Sequence, residues 1–385
     1  MIDQERLTKQ FLDFVRVDSP FFAEAPFGEI LGEELTKLGL SWDNDRTGQN
    51  GAGNLLALLP RSTPGIPPIL LGMHLDTVEP GQGIKPRLEN GIIRSDGRTI
   101  LGADNKAAIA CTLEAIRCLK ADRPPHGDVE FLFTWGEERG HCGAKAFDYS
   151  RVRAKVGFVP DGGGLLGTII TRAPYYESIH AVFQGRAAHA GISPEKGINA
   201  IVLAGRALAR ISLGRLDEET TANFGLIKGG SGRNTVPERV EMEGEARSLD
   251  PAKLRTQVEK MRGGFESSAR EIGGRAFFSV KREYDGYRIG ESDPPVRIAV
   301  AASEAVGLSP VITSTCGGSD ANELNANGIA AVVLGMGGGG YHTFEEHISV
   351  DELVKCAEWI KALVTETAKR FPPETPIHPS PTAEG

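Results

Sequence analysis

Residues 69–77 read ILLGMHLDT. The apolar run Ile69–Met73 stops abruptly at His74-Leu75-Asp76-Thr77. It is too short for an average helix and has no polar face, which is how a strand buried on both faces of a sheet reads. The same pattern recurs. Val129–Phe133 runs into Trp135-Gly136-Glu137-Glu138, and Val156–Val159 into Pro160-Asp161-Gly162. Ala330–Leu334 runs into a glycine loop that ends at Tyr341-His342. Leu55–Leu59 is a further apolar run of this kind. Among them lies a stretch from about Asn105 to Lys120 with Ile109, Leu113, Ile116 and Leu119 at helical spacing. Alternation of this sort predicts an α/β layer on a largely parallel or mixed sheet.

Outward from this core the helical pattern continues. Leu7, Phe11, Phe14 and Val15 form one apolar stripe, ended by Pro20; Leu31, Leu35 and Leu38 form another, with Gly39 as its C-cap. Helices are also expected at Val296–Val306 and Val350–Arg370. The middle of the chain differs. Strands are expected at Glu177–Phe183, Ala222–Lys228, Glu238–Leu249 and Ala276–Arg282, with helices at Asn199–Ile211 and Pro251–Ile272. That order, β-α-β-β-α-β, is the ferredoxin-like pattern. The expected organisation is therefore a catalytic domain from 1–173 and 291–371, with an α+β domain inserted at 174–290. The remaining stretch, 372–385, is proline-rich and expected to be disordered.

With 385 residues, two domains are the natural expectation. A net charge of −8 and no long basic run argue against a nucleic-acid partner. No apolar run is long enough to span a bilayer. Cys111, Cys118, Cys142, Cys316 and Cys356 are odd in number and scattered, which points to a reducing, cytoplasmic setting. The run GMGGGG at 335–340 does not make a dinucleotide site, because Tyr341-His342 and a polar loop follow it where a helix should begin.

The chemistry gathers at the strand ends, where open α/β sheets bind their ligands. Four of them deliver His74, Asp76, Glu137, Glu138, Asp161 and His342, and Gly102-Ala103-Asp104-Asn105-Lys106 opens a helix at the same level. Each residue alone also fits an ordinary role: a packed histidine, a turn aspartate, a helix cap at Asp104, solvated glutamates. Their recurrence after strand upon strand is what marks a site. Two imidazoles with several carboxylates and no thiolate suit zinc, and also manganese or cobalt. One carboxylate can bridge two ions. Glu137 and Glu138 are adjacent and point in different directions, so one can bind metal while the other serves water as a general base. Spacing does not say which does which.

His74-Leu75-Asp76-Thr77, Gly102-Ala103-Asp104-Asn105-Lys106, Trp135-Gly136-Glu137-Glu138, Pro160-Asp161 and Tyr341-His342 resemble, in this order, the co-catalytic dizinc peptidases. That family includes peptidase T, glutamate carboxypeptidase and aminoacylase, and the resemblance is strongest to the peptidase T-like branch. It implies two zinc ions, one held by His74 and Asp161, the other by Glu138 and His342, with Asp104 between them. It implies Glu137 as general base, Asp76 as partner of His74, and a lid that also makes a homodimer. His189 in the lid matches a histidine that stabilises the oxyanion, while Asn234, Arg247, Gly318 and Asp320 match substrate-binding positions. The substrate class implied is a di- or tripeptide. Deacylation of N-acyl amino acids, carboxypeptidase action, and a catalytically silent binding protein stay open as alternatives. Arg247 could equally pair with Glu245 or Asp250. One departure stands out: peptidase T usually carries a second Asp where this chain has Asn105.

Overall fold

Four of the five apolar runs are the parallel strands at the middle of a mixed sheet, and the fifth, Leu55–Leu59, pairs antiparallel beside them. From one edge the order is Ser41–Asn44, Leu55–Leu59, Val129–Thr134, Ile69–His74, Val156–Gly162, Ala330–Gly335 and Thr168–Ala173. Leu71 pairs with Phe131 on one side and Phe158 on the other, and Phe158 with Val332. The computed structural model describes residues 1–371, so the expected disordered tail at 372–385 lies outside the described residues.

Apolar burial on both faces fixes this layer. The helix Ala103–Asp122 packs against Gln4–Val15 and Val350–Arg370, and the latter also meets Pro294–Ala305. The short helix Asp320–Ala326 packs on the strands Ala330–Gly335 and Val156–Gly162. Phe11, Phe131, Phe158 and Trp359 are fully buried between these elements. Each such side chain contributes roughly 1.5–3 kcal/mol of transfer free energy.

The chain divides into two compact units: one of residues 1–171, 288–314 and from 319 on, the other of 172–287 with 315–318. Residues 315–318 join the second unit although they lie far along the chain, and Thr315 N–H donates to Arg172 O at 3.1 Å. The second unit is a five-stranded antiparallel sheet in the order Gly214–Arg215, Thr220–Gly229, Arg239–Ser248, Tyr175–Gln184 and Arg275–Tyr284. Helices Ala200–Leu208 and Pro251–Glu271 cover one face through Leu203, Ala207, Met261 and Phe265. Phe265 packs against Phe183, Phe224 and Phe278. This is the ferredoxin-like order expected, and the overall class is α/β with an α+β insertion.

Local differences matter for the site. Asp161 lies inside a strand, not in the loop after it, because Val156–Gly162 keeps pairing with Ala330–Gly335 past Pro160. The stretch from Gly317 to Asn322, read as a loop, is half helix: Ser319 caps Asp320–Ala326, its hydroxyl taking Ala321 N–H while Asn322 reaches back to Ser319 N–H. That S-x-x-N signal was legible as a capping box. The helix after Gly102 begins with non-helical backbone at Asp104 and Asn105. The helix expected at Asn199–Ile211 spans Ala200–Leu208, with Asn199 as its cap.

Candidate metal centre

His74 is the last residue of its strand and is buried. Its Nδ1 lies 2.9 Å from the backbone carbonyl of Asp76. A carbonyl only accepts, so Nδ1 carries the proton and Nε2 is the nitrogen turned to the site. Nε2 sits 2.9 Å from Asp104 Oδ1 and 3.2 Å from Asp161 Oδ1. The other oxygen of the same Asp104 carboxylate, Oδ2, lies 3.1 Å from His342 Nε2, which is in turn 3.1 Å from Glu138 Oε1. One carboxylate thus stands between two histidine–carboxylate pairs. Donor atoms of His74, Asp104 and Glu138 all fall within 4.8 Å of one another. These five side chains come from the four parallel strands, or the turns and loops after them, and one helix start, all within the first unit.

Asp76 is buried and works differently from the simple partner of an imidazole. Its carboxylate accepts the N–H of Glu137 at 2.9 Å and of Glu138 at 3.1 Å, while Oδ1 stays 3.4 Å from His74 Nδ1. It therefore sets the turn that carries both glutamates, and its own carbonyl orients His74. Asn105 donates through Nδ2 to Pro160 O and to Asp161 Oδ1, each at 2.8 Å. The glycine loop that delivers His342 turns at Gly340, where φ is +67° and a Cβ would come within 2.7 Å of Glu345 backbone. Only glycine meets both conditions at low cost.

The electrostatics are those of crowded acids. Burial, reinforced by Asp161, holds the Glu137 carboxyl well above the usual carboxylate range. Burial likewise pushes Asp161 up to about 7 against the pull of His74. Asp104 goes the other way: burial opposes, but hydrogen bonds from His342 and His74 keep it below its ordinary value. Those to Asp104 and Glu138 raise His342 to about 10. Burial works to lower His74, yet the three surrounding aspartates more than reverse it. A set of five buried or half-buried acids around two imidazoles is what divalent cations neutralise.

The remaining expected residues fall elsewhere. Asp320 is buried, and its carboxylate takes the hydroxyl of Thr134 at the end of the strand leading to Glu137. There it braces that strand from within. In the second unit, His189 pairs with Thr235, and Ala190 N–H donates to Asn234 O at 2.9 Å, so His189 and Asn234 are neighbours. His189 Nδ1 accepts from Gly191 and Ile192 N–H at 3.2 Å, which leaves Nε2 as the exposed donor. Arg247 lies in the five-stranded sheet, opposite Tyr176, whose ring its guanidinium covers at 4.3 Å. Its fork is engaged by Glu245 at 3.1 and 2.9 Å, and Nη1 faces Tyr284 Oη at 3.4 Å. Gly318 packs on that tyrosine so closely that a Cβ would lie 2.2 Å from Oη.

Sequence reasoning missed two residues. His141 is buried with Nε2 3.5 Å from Glu137 Oε1 and Nδ1 3.5 Å from Glu323 Oε1. Glu346, nearly inaccessible, accepts four backbone N–H groups from 101–104. Glu346 lies in no spacing pattern that would have flagged it, since it acts across more than 240 residues of chain, whereas His141 stands four residues after Glu137.

Fold and site together define a metal-dependent hydrolase. Residues 70–366 match the profile of peptidase family M20/M25/M40, and the chain belongs to that family. It is similar to the protein YqjE of Bacillus subtilis, 42% identical over 96% of this chain and 100% of that one. Among solved structures it is similar to the aminopeptidase PepT of Bacillus cereus, at 44% identity and a TM-score of 0.88, covering 95% of this chain and 99% of that one. A tripeptidase of Staphylococcus aureus gives 37% identity and a TM-score of 0.92 over 96% and 100% of the two chains. The resemblance to the peptidase T-like branch therefore holds.

Proposed function

We propose that this chain is a dizinc aminopeptidase that removes the N-terminal residue of di- and tripeptides. The observation that carries the reading is the single Asp104 carboxylate set between two pairs, His74 with Asp161 and His342 with Glu138. That donor set fits two zinc ions, with manganese or cobalt as chemically close substitutes. PepT and the tripeptidase, by their names, supply the substrate class. Bound cations would polarise the scissile carbonyl and lower the pKa of water at the site.

The chain's own residues do the rest. Asp76 holds Glu137 at the rim by its backbone N–H. Glu137 takes the proton of the attacking water and returns it to the leaving nitrogen, a task suited to a carboxyl whose burial raises its proton affinity. His189, with Nε2 as donor, stabilises the developing oxyanion. Arg247 receives the peptide carboxylate once Glu245 yields part of the fork.

The strand length between these two groups favours their serving different substrate molecules. Arg239 opposes Gln184 at the end next to His189, and Arg247 lies eight residues along the same strand. At ~3.4 Å per residue that is roughly 27 Å. An extended tripeptide spans only about 10 Å. The reading therefore includes a homodimer through the inserted unit, with His189 and Asn234 given to the partner's site. The five cysteines are free thiols, which supports a cytoplasmic setting.

The test is metal analysis of the purified protein followed by a peptide panel. Two ions per chain are expected, with hydrolysis of free tripeptides and none of N-acetylated ones. Cleavage of N-acetyl amino acids with free tripeptides untouched would sink the aminopeptidase reading in favour of deacylation.

A further inference from the structure

The loop that carries Asp104 is held by a carboxylate that belongs to no other part of the site. Glu346 Oε2 accepts the N–H of Leu101 at 2.7 Å and of Gly102 at 2.9 Å. Its Oε1 accepts the N–H of Ala103 at 2.8 Å and of Asp104 at 3.2 Å. Both oxygens are filled, each by two donors, and the side chain is almost wholly inaccessible. Burying a carboxylate is costly unless its acceptors are met, and here the backbone of four successive residues meets them.

Glu346 sits four residues after His342, in the same loop. That loop is itself fixed: Glu346 N–H donates to Thr343 O, and Gly339 and His347 exchange backbone hydrogen bonds. At its start, Gly338 N–H donates to Glu352 Oε1 at 2.9 Å. The Glu346 side chain therefore ties the loop bearing His342 to the loop bearing Asp104. These are the two residues whose side chains meet at 3.1 Å.

We propose that Glu346 is a positioning residue of the metal centre: by clasping the backbone of 101–104 it fixes how Asp104 presents one oxygen toward His74 and the other toward His342. It touches neither substrate nor ion. The inference rests on Asp104 being the shared ligand. A carboxylate is required, not merely a polar side chain of that size. In Glu346→Gln one oxygen becomes an NH₂ group, which faces two N–H donors whichever way the amide turns. Two of the four hydrogen bonds are lost and replaced by donor–donor opposition.

The test is zinc affinity of the full chain, stripped of metal and titrated in chelator-buffered Zn²⁺, with the absorption spectrum of the Co²⁺ form as a second readout. Glu346→Gln is expected to weaken zinc binding about 10–100-fold, the usual effect of losing a group that orients a ligand, and to shift the Co²⁺ bands. Glu346→Asp keeps both acceptors but withdraws them by one methylene, and is expected to show a smaller loss. If Glu346→Gln fails to fold, the Asp variant carries the test. A lower melting temperature with zinc affinity within twofold of wild type would make Glu346 a purely structural brace and overturn the proposal. Asp104→Asn is the control for the underlying reading. If it too retains both ions at full affinity, the shared-ligand assignment fails, and this proposal with it.

Discussion

Mixing two inactive variants tests whether the site is shared between subunits. Take His189→Ala and Glu137→Gln, one in the second unit and one in the first. Removing an oxyanion donor costs about 10²–10³ in turnover, and removing a positioned base about 10²–10⁴. Each variant alone is then nearly silent. The geometry behind the prediction is the strand length from Arg239, which opposes Gln184 five residues before His189, to Arg247. That length is roughly 27 Å, nearly three times a tripeptide's span, which favours the two serving different sites. If His189 serves the partner's centre, a mixed dimer has one site with both defects and one with neither. Random reassociation makes about half of the dimers mixed, so about a quarter of all sites are intact. The assay is tripeptide hydrolysis after partial denaturation, mixing and refolding, with differently tagged chains to prove that mixed dimers form. Activity near 25% of wild type is expected, at least 25-fold above either parent. Mixed dimers with parental activity would refute sharing, as would a fully active monomer.

Three further outcomes follow from the same geometry. Glu137→Gln should keep both metals and lose turnover about 10²–10⁴-fold, whereas Glu138→Gln should lose occupancy at one site; the reverse pattern in metal analysis would exchange their roles. Arg247→Lys should raise KM for free-acid peptides, because a lysine cannot make a paired contact. Glu245→Gln should lower it by releasing the fork that Glu245 now occupies, and equal KM for free and amidated peptides in the wild type would remove the carboxylate role altogether. Glu24 is fully buried, and burial, with the Asp76 charge adding and nearby backbone amides opposing, raises its carboxyl to about 7. The native state keeps this proton between about pH 4.5 and 7 while the unfolded chain releases it. Stability is therefore lost as pH rises through that window. Metal-depleted Glu24→Gln should match wild type near pH 4.5 and melt roughly 2 °C or more higher at pH 8; a difference that does not change with pH would refute it.

The fold was legible where burial alone decides the pattern. Ile69–Met73 and Ala330–Leu334 are apolar throughout and buried on both faces of the sheet, and Val129–Phe133 is so but for Glu130. The candidate site residues were legible because each follows an apolar run or opens the next helix. Edge elements were not. Ser41–Asn44 pairs on one side only and is exposed along most of its length, so its sequence SWDN carries no alternation. Arg87–Glu89 and Ile92–Arg94 form a small sheet with His347–Ser349, a pairing set by the tertiary fold rather than by local preference.

The residues that support the site follow a different logic. Asp76, Asn105, Thr134 and Glu346 act through backbone or neighbouring side-chain groups, so their type reflects which donors and acceptors face them after folding. Asn105 makes the point best, since it is where the chain departs from the peptidase T pattern. Its Nδ2 faces two acceptors, the carbonyl of Pro160 and the carboxylate of Asp161. An ionised aspartate there would offer only acceptors to acceptors, next to a carboxyl that burial already pushes up. An amide supplies the donor with no added charge and holds one oxygen of Asp161 in place near His74. The amide at this position therefore aims a donor at Asp161 without the proton that an aspartic acid there would have to keep.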